Sequence, residues 1–279
     1  MNYRLLKSMT LAAALSVSGL VTGAMADVTI GVTVSSTGSG AALGIPLKNS
    51  VELWPTEIAG EKLNVIVLDD AGDPSIATTN ARRFANDDKV DVIVGSALTP
   101  ASIAISGVAN EVGVTQLAAS PIPPNVYQTK WTFVLPQDAG LIAHALFKKM
   151  QEDGVKTFGY IGFSDSYGDL WVNQFKAIGA EYGLEMVAEE RYARPDTSVS
   201  GQVLKLIAAR PDAIFVGASG TGAALPQVTL RERGYTGPIY QTHGAATFDF
   251  IRIAGDAANN TVFASGPVMV PEDLPDDND

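Results

Sequence analysis

The residues most able to do chemistry are few and widely spaced. Ser219 closes the β-branched run AIFVGAS with a helical stretch behind it, and His243 follows further along, an order that would supply a hydroxyl nucleophile and then an imidazole base. The surrounding GASGT lacks the second glycine of a G-x-S-x-G elbow, and the usual order places an acid from a later strand between serine and histidine. An exported hydrolase using Ser219 and His243 is therefore kept only as the lesser alternative. SSTGSGAALG brings Gly38, Gly40 and Gly44 to the start of a helix, but its spacing departs from the dinucleotide fingerprint, whose third glycine falls three residues after the second. The better reading is a backbone-rich loop whose free N–H groups hold an anion or a carbonyl. Asp69, Asp70 and Asp73 crowd into DDAGDPS without the spacing or closing glutamate of a calcium loop, which assigns them to capping and turns. His144, between Leu141 and Leu146 in a helical pattern, reads as a helix-surface or packing residue. No cysteine is present, so disulfides, thiolate metal sites and thiol nucleophiles are excluded. No cofactor and no metal are expected.

Composition narrows the partner. Thirty acidic residues against 19 basic ones give a net charge of −11, with no basic cluster to displace counterions from phosphates, so nucleic acid is not an expected ligand. A hydrophobic share of 46% rules out disorder across the main body. Residues 1–26 stand apart: Arg4 and Lys7 precede the uncharged run MTLAAALSVSGLVTGAMA, which ends in Ala24-Met25-Ala26, the small-x-small pattern of a signal peptide cleaved before Asp27. The run is broken by Ser, Gly and Thr and is shorter than the roughly 20 residues a spanning helix needs. Removing it takes away two cations and no anions, which moves the net charge to −13. The expected product is exported to the periplasm without stable membrane insertion.

The elements that must position these residues alternate regularly from Val28 onward. Strand candidates begin at Val28, Leu63, Val90, Val114 and Trp131, and a second set at Thr157, Glu185, Ala213, Pro238 and Thr261. Amphipathic helices lie between them, one opening on Asp73-Pro74 as cap and first turn, and another, from Ala139, with basic residues in its later turns. Runs apolar on both faces belong in parallel sheets covered by helices, so the expected fold is α/β. Pro121, Pro123, Pro124 and Pro136 interrupt the rhythm midway. The expectation is two Rossmann-like lobes, residues 27–136 and 137–266, joined by hinge strands near Pro136 and Pro267, with 267–279 returning toward the first lobe. Ligands of open α/β sheets bind beyond the carboxyl ends of the strands, which places a cleft between the lobes and Tyr167 at its edge. Trp54, Trp131, Trp171 and Phe163 read as core or rim packing.

In order along the chain, IGVTVSSTGSGAALGIPLKNSVEL, VDVIVGSALTPASIAISGVANEVGV, FSDSYGDLWVNQFKAIGAEYG and DAIFVGASGTGAALPQVTLRERGYTGPIYQTHG resemble the periplasmic solute-binding proteins of the Leu/Ile/Val-binding type, which serve ATP-binding-cassette importers. The resemblance covers essentially all of the chain after Ala26. It implies a ligand enclosed by lobe closure, a membrane permease as partner, a monomeric receptor and no enzymatic activity. It also implies a chain that normally continues past PEDLPDDND, so that the present one is expected to be truncated. The positions it carries over are Ser39, Gly40 and Leu43 from the first loop, Ala97 and Thr99 from GSALTPAS, Ala118, Ser120 and Ile122 from AASPIPP, and Tyr167, Ser219 and His243 from the second lobe. Two departures stand out: Ile122 where a hydroxyl is common, and His243 where the second lobe often supplies glutamate. An ammonium enclosed without a carboxylate partner is strongly disfavoured. The expected ligand is therefore an aromatic or other amine-free carboxylate, held by Thr99, Ser120 and the first-loop amides and covered by Tyr167. Similar sequences with an STG opening look like aromatic-acid binders. Leucine, isoleucine and valine are the main alternative.

Overall fold

Val28–Val34 (β1) is a seven-residue run in which alternating sides of the strand are all apolar or small, and it becomes the middle of a sheet. The computed structural model describes residues 27–126, 130–269, 272, 274 and 275. The expected signal peptide, residues 1–26, and most of the segment after Met269 lie outside the described residues.

The first half continues through α1 (Ala41–Val51), β2 (Glu57–Ile58), β3 (Glu61–Asp69), α2 (Pro74–Asn86), β4 (Val92–Val94), α3 (Thr99–Val112), β5 (Thr115–Ala118) and β6 (Thr132–Val134). Its sheet runs β2-β3-β1-β4-β5-β6, with β1 parallel to β3 from the Val28–Leu63 pair to the Val34–Asp69 pair. The second half comprises α4 (Ala139–Glu152), β7 (Thr157–Phe163), α5 (Ser166–Ile178), β8 (Glu185–Tyr192), α6 (Ser200–Ala208), β9 (Ala213–Gly217), α7 (Ala224–Glu232), β10 (Ile239–Gln241), α8 (Phe248–Ala254) and β11 (Thr261–Phe263). Its parallel sheet runs β11-β10-β9-β7-β8. In each sheet the chain order reverses beside the first strand, β1 or β7, and that reversal opens a crevice at the carboxyl ends.

All ten expected strands form, and the fold is α/β with two parallel-sheet lobes. The eleventh strand, β2, was not expected: it pairs antiparallel with the start of β3 across Ala59 (φ 53°) and Gly60 (φ 86°), a two-residue turn with positive φ at both positions. Two residues are too few to show a period. The strand β8 also departs from expectation, because its residues alternate between exposed and half-buried as befits a sheet edge, whereas β9 is buried throughout. Helix starts follow their caps: Asp73 accepts from the N–H groups of Ser75 (2.6 Å) and Ile76 (3.3 Å) with Pro74 at the first position, and Asp138 does the same for Gly140 and Leu141 at the head of α4.

The cores differ. The second half has one continuous cluster built on aromatic rings, with Phe147 stacked on Phe175 (centroids 4.1 Å apart), Phe175 edge-on to Phe215 (4.7 Å) and Trp171 tilted against Phe215 (5.6 Å). The first half splits its core over the two faces of the sheet, Phe84, Ile93 and Ile105 on one and Val32, Val34 and Val94 on the other. At the ends of its strands lies a buried polar seam. Asp70 accepts from Thr33 Oγ1 (3.1 Å) and Ser35 Oγ (2.7 Å), and Gln116 Nε2 donates to the carbonyls of Gly95 (2.9 Å) and Ser102 (3.0 Å). Each buried polar group in this seam has its partner, which removes the desolvation cost it would otherwise carry.

Candidate functional site

A cavity of about 260 Å³ sits between the two sheets, and its wall follows the strand ends one by one. The stretch after β1 supplies Leu43 and Leu47 on α1, and the β4–α3 connection supplies Ala97, Leu98 and Thr99. Ala119, Ser120 and Pro121 follow β5, and Pro136 follows β6. From the other sheet come Tyr167 after β7, Arg194 after β8, Ser219 after β9, and His243, Gly244, Ala246 and Thr247 after β10. Leu43 reaches the cavity because Gly44 lets α1 lie directly on the backbone of Ser35, where any Cβ would collide with the Ser35 carbonyl. The halves meet beside the cavity: a Cβ built on Gly220 would come within 3.5 Å of Ala42 and 3.6 Å of Leu43.

The first-sheet wall presents hydroxyls whose hydrogens are already committed. Thr99 Oγ1 donates to the Pro121 carbonyl (2.8 Å), and Ser120 Oγ donates to Ser102 Oγ (2.8 Å), which donates in turn to the Ser96 carbonyl (2.9 Å). What these two oxygens offer the cavity is lone pairs. No side chain caps α3, so the leading amides of its first turn are the open donors on this side. The amides of the first loop are turned elsewhere: those of Ser36 (2.9 Å) and Thr37 (3.3 Å) donate to Asp69 Oδ1.

The second-sheet wall carries the one charge. Among the described residues, Arg194 is the only one lining the cavity with a charged side chain; that side chain is 10% exposed. Its Nε donates to Asp165 Oδ2 (2.6 Å), its Nη1 reaches Ser219 Oγ (3.4 Å), and its guanidinium lies 4.0 Å above the centroid of Phe163. Its Nη2 is buried without a partner among the described residues. Tyr167 donates its phenol hydrogen to Thr242 Oγ1 (2.8 Å), since Thr242 spends its own on the Ala218 carbonyl (2.6 Å). Burial pushes the Tyr167 phenol upward, so it is neutral. The His243 imidazole, 5.8 Å from the Trp171 ring, is pulled by burial from 6.5 down to about 4 and is neutral at pH 7. Its Nδ1 is also buried without a partner among the described residues, none of which supplies a carboxylate to orient the ring as a general base would require.

The cavity brings together Leu43, Ala97, Thr99, Ser120, Tyr167, Ser219 and His243 of the residues expected there. Four others fall outside it. Ser39 lines an adjoining cavity that shares Arg194, and Ile122 lines another alongside Phe133 and Gln174. Gly40 is packed on Ser35 and Leu98, and Ala118 is fully buried in β5. Sequence reasoning overlooked Arg194, although the rule that located Tyr167 applies to it, because YARPDTS follows the carboxyl end of β8 directly. Asp69, Asp70 and Asp73 serve the loop and the α2 cap, and His144 is an exposed helix residue bonded through Nδ1 to the Tyr182 hydroxyl (2.6 Å). No helix among the described residues is long and apolar enough to cross a membrane.

Residues 27–279 match the family model described as periplasmic binding protein. A Leu/Ile/Val-binding protein homolog from Brucella melitensis is 27% identical, with 95% of this chain and 73% of the relative covered. The crystal structure of an extracellular ligand-binding receptor from Rhodopseudomonas palustris HaA2 is 57% identical and superposes with a TM-score of 0.87 over 90% of this chain and 71% of that one. A solute-binding protein of an ABC transporter from R. palustris, solved with benzoate, shares the fold at 20% identity, with a TM-score of 0.76 over 84% of this chain and 66% of that one. A cleft built from strand ends accords with relatives whose names describe binding proteins and receptors. The chain belongs to the periplasmic binding protein family.

Proposed function

We propose that this protein captures an amine-free monocarboxylate, aromatic in its remainder, between its lobes and delivers it to the permease of an ABC importer. The observation that carries the reading is the unpartnered Nη2 of Arg194 in a cavity with no other charged side chain. A buried guanidinium N–H without an acceptor costs stability, and a ligand carboxylate removes that cost while gaining a charge-assisted hydrogen bond. The carboxylate lies against Arg194 and Ser219, which reassigns the anchor from the first-lobe hydroxyls to the second lobe. Thr99 and Ser120 would have to break existing bonds to donate. An α-ammonium finds no carboxylate in the lining, and the rest of the wall, with Leu43, Leu47, Leu98, Pro136 and Tyr167, suits an apolar or aromatic body. The benzoate complex of a protein with the same fold supports that choice.

In this reading residues 27–136 and 137–266 are the lobes, with hinges near Pro136 and Pro267. The receptor is exported after cleavage at Ala26 and acts as a monomer in the periplasm. A thermal-shift screen of benzoate-type acids against branched-chain amino acids tests the ligand class. Stabilisation by the acids and none by leucine, isoleucine or valine is expected, and the reverse pattern would make this a branched-chain amino acid binder.

A further inference from the structure

We propose that Asp165 is a positioning residue for ligand recognition, fixing where Arg194 presents its free N–H groups and tying that point to Tyr167; this rests on Arg194 as the carboxylate anchor. One carboxylate serves two residues of the second-sheet wall. Its Oδ2 takes the Arg194 Nε hydrogen at 2.6 Å, and its Oδ1 takes the amide hydrogens of Tyr167 (2.9 Å) and Gly168 (3.4 Å) as the cap of α5. Arg194 is thereby held along its Nε edge and from beneath by the Phe163 ring, with the Ser219 hydroxyl at Nη1, so that Nη2 is the end left without a partner among the described residues. The partners are 10% and 23% exposed, so solvent screens the pair less than it would on the open surface. The geometry between ligand carboxylate and Tyr167 ring is then set by the β7–α5 connection before any ligand arrives. Such preorganisation removes an ordering cost from binding, a large one for a side chain as flexible as arginine.

Charge and position make opposite demands here, which makes the proposal testable. By charge alone Asp165 opposes an anionic ligand, and neutralising it should tighten binding. As a positioning residue its neutralisation should weaken binding. Asp165→Asn preserves the helix cap, because asparagine caps as well as aspartate, but turns an N–H group or an uncharged oxygen toward Arg194 Nε. Titration calorimetry of sodium benzoate into the full chain, Asp165→Asn, Asp165→Glu and Arg194→Ala is the experiment, with ¹⁵N spectra of the arginine Nε–H groups as a ligand-independent readout. The expected result is a tenfold or greater loss of benzoate affinity in Asp165→Asn, partial recovery in Asp165→Glu, and a slowly exchanging Nε–H resonance present in the parent and missing from Asp165→Asn. Equal or tighter binding by Asp165→Asn, or an unchanged Nε–H resonance, overturns the positioning role. If Arg194→Ala alone loses benzoate, the carboxylate reading survives without it. If the parent binds no benzoate, both fall together.

Discussion

The two lobes reach the same parallel-sheet architecture with different interiors, and the difference divides the labour at the ligand. The second lobe is one aromatic mass in which Trp171, Phe147, Phe175 and Phe215 lock one another, and the rigid strand ends above it hold Arg194, Tyr167 and His243. The first lobe has a thinner, divided core and a seam of buried hydroxyls and amides whose hydrogen bonds are mutually satisfied. A rigid apolar platform is suited to carrying a cation in a fixed place, while a satisfied hydroxyl seam supplies a polar wall that makes few demands. In the proposed reading the anchor sits in the lobe with the continuous aromatic core.

The largest test of this contrast is in the cores. Phe215→Ala removes a ring that meets Phe147, Tyr160, Trp171 and Phe175, and should cost about 4 to 5 kcal/mol in urea unfolding. Phe84→Ala empties a site ringed by small side chains, Ala77 and Ala81 among them, and should cost nearer about 3 kcal/mol. A larger loss for Phe84→Ala would break the comparison. Next in size is the pH response. The His243 pKa is about 4 in the folded protein and about 6.5 unfolded, so the unfolded chain takes up the proton first. Stability from this group is complete above about pH 6.5, declines as pH falls and levels off below about pH 4, a change on the order of 3 kcal/mol. His243→Gln should flatten that part of the stability–pH curve, and an unchanged slope would place the imidazole in water. The smallest effect is in the first lobe. Ser102→Ala breaks the chain from Ser120 to Ser96 and should cost about 1 kcal/mol, leaving benzoate affinity within about twofold. A marked loss of affinity would return the anchor to the first-lobe hydroxyls.

Much of this architecture was legible from residue types. Ten strands announce themselves as β-branched runs, the carboxyl-end rule leads to Tyr167, and the family resemblance adds Ser219 and His243. The short β2 was not legible, because two residues show no period. Arg194 was missed for a different reason: in ARPDTS a lone arginine beside proline and aspartate reads as an exposed turn, and its burial comes from Phe163 and Asp165 about thirty residues earlier in the chain. Thr99 and Ser120 came from the family resemblance, but their role depends on where their hydrogens point, and that is set by the Pro121 carbonyl and Ser102. Ser39 and Ile122 lie one turn or one residue from the lining, a distance that strand-end reasoning does not resolve.

The central claim is that the receptor takes a carboxylate without an amine. Titration calorimetry of the full chain with benzoate and with leucine under identical buffer tests it most directly. Saturable one-to-one binding of benzoate with no heat from leucine is the predicted result, and saturable leucine binding with none of benzoate would contradict it.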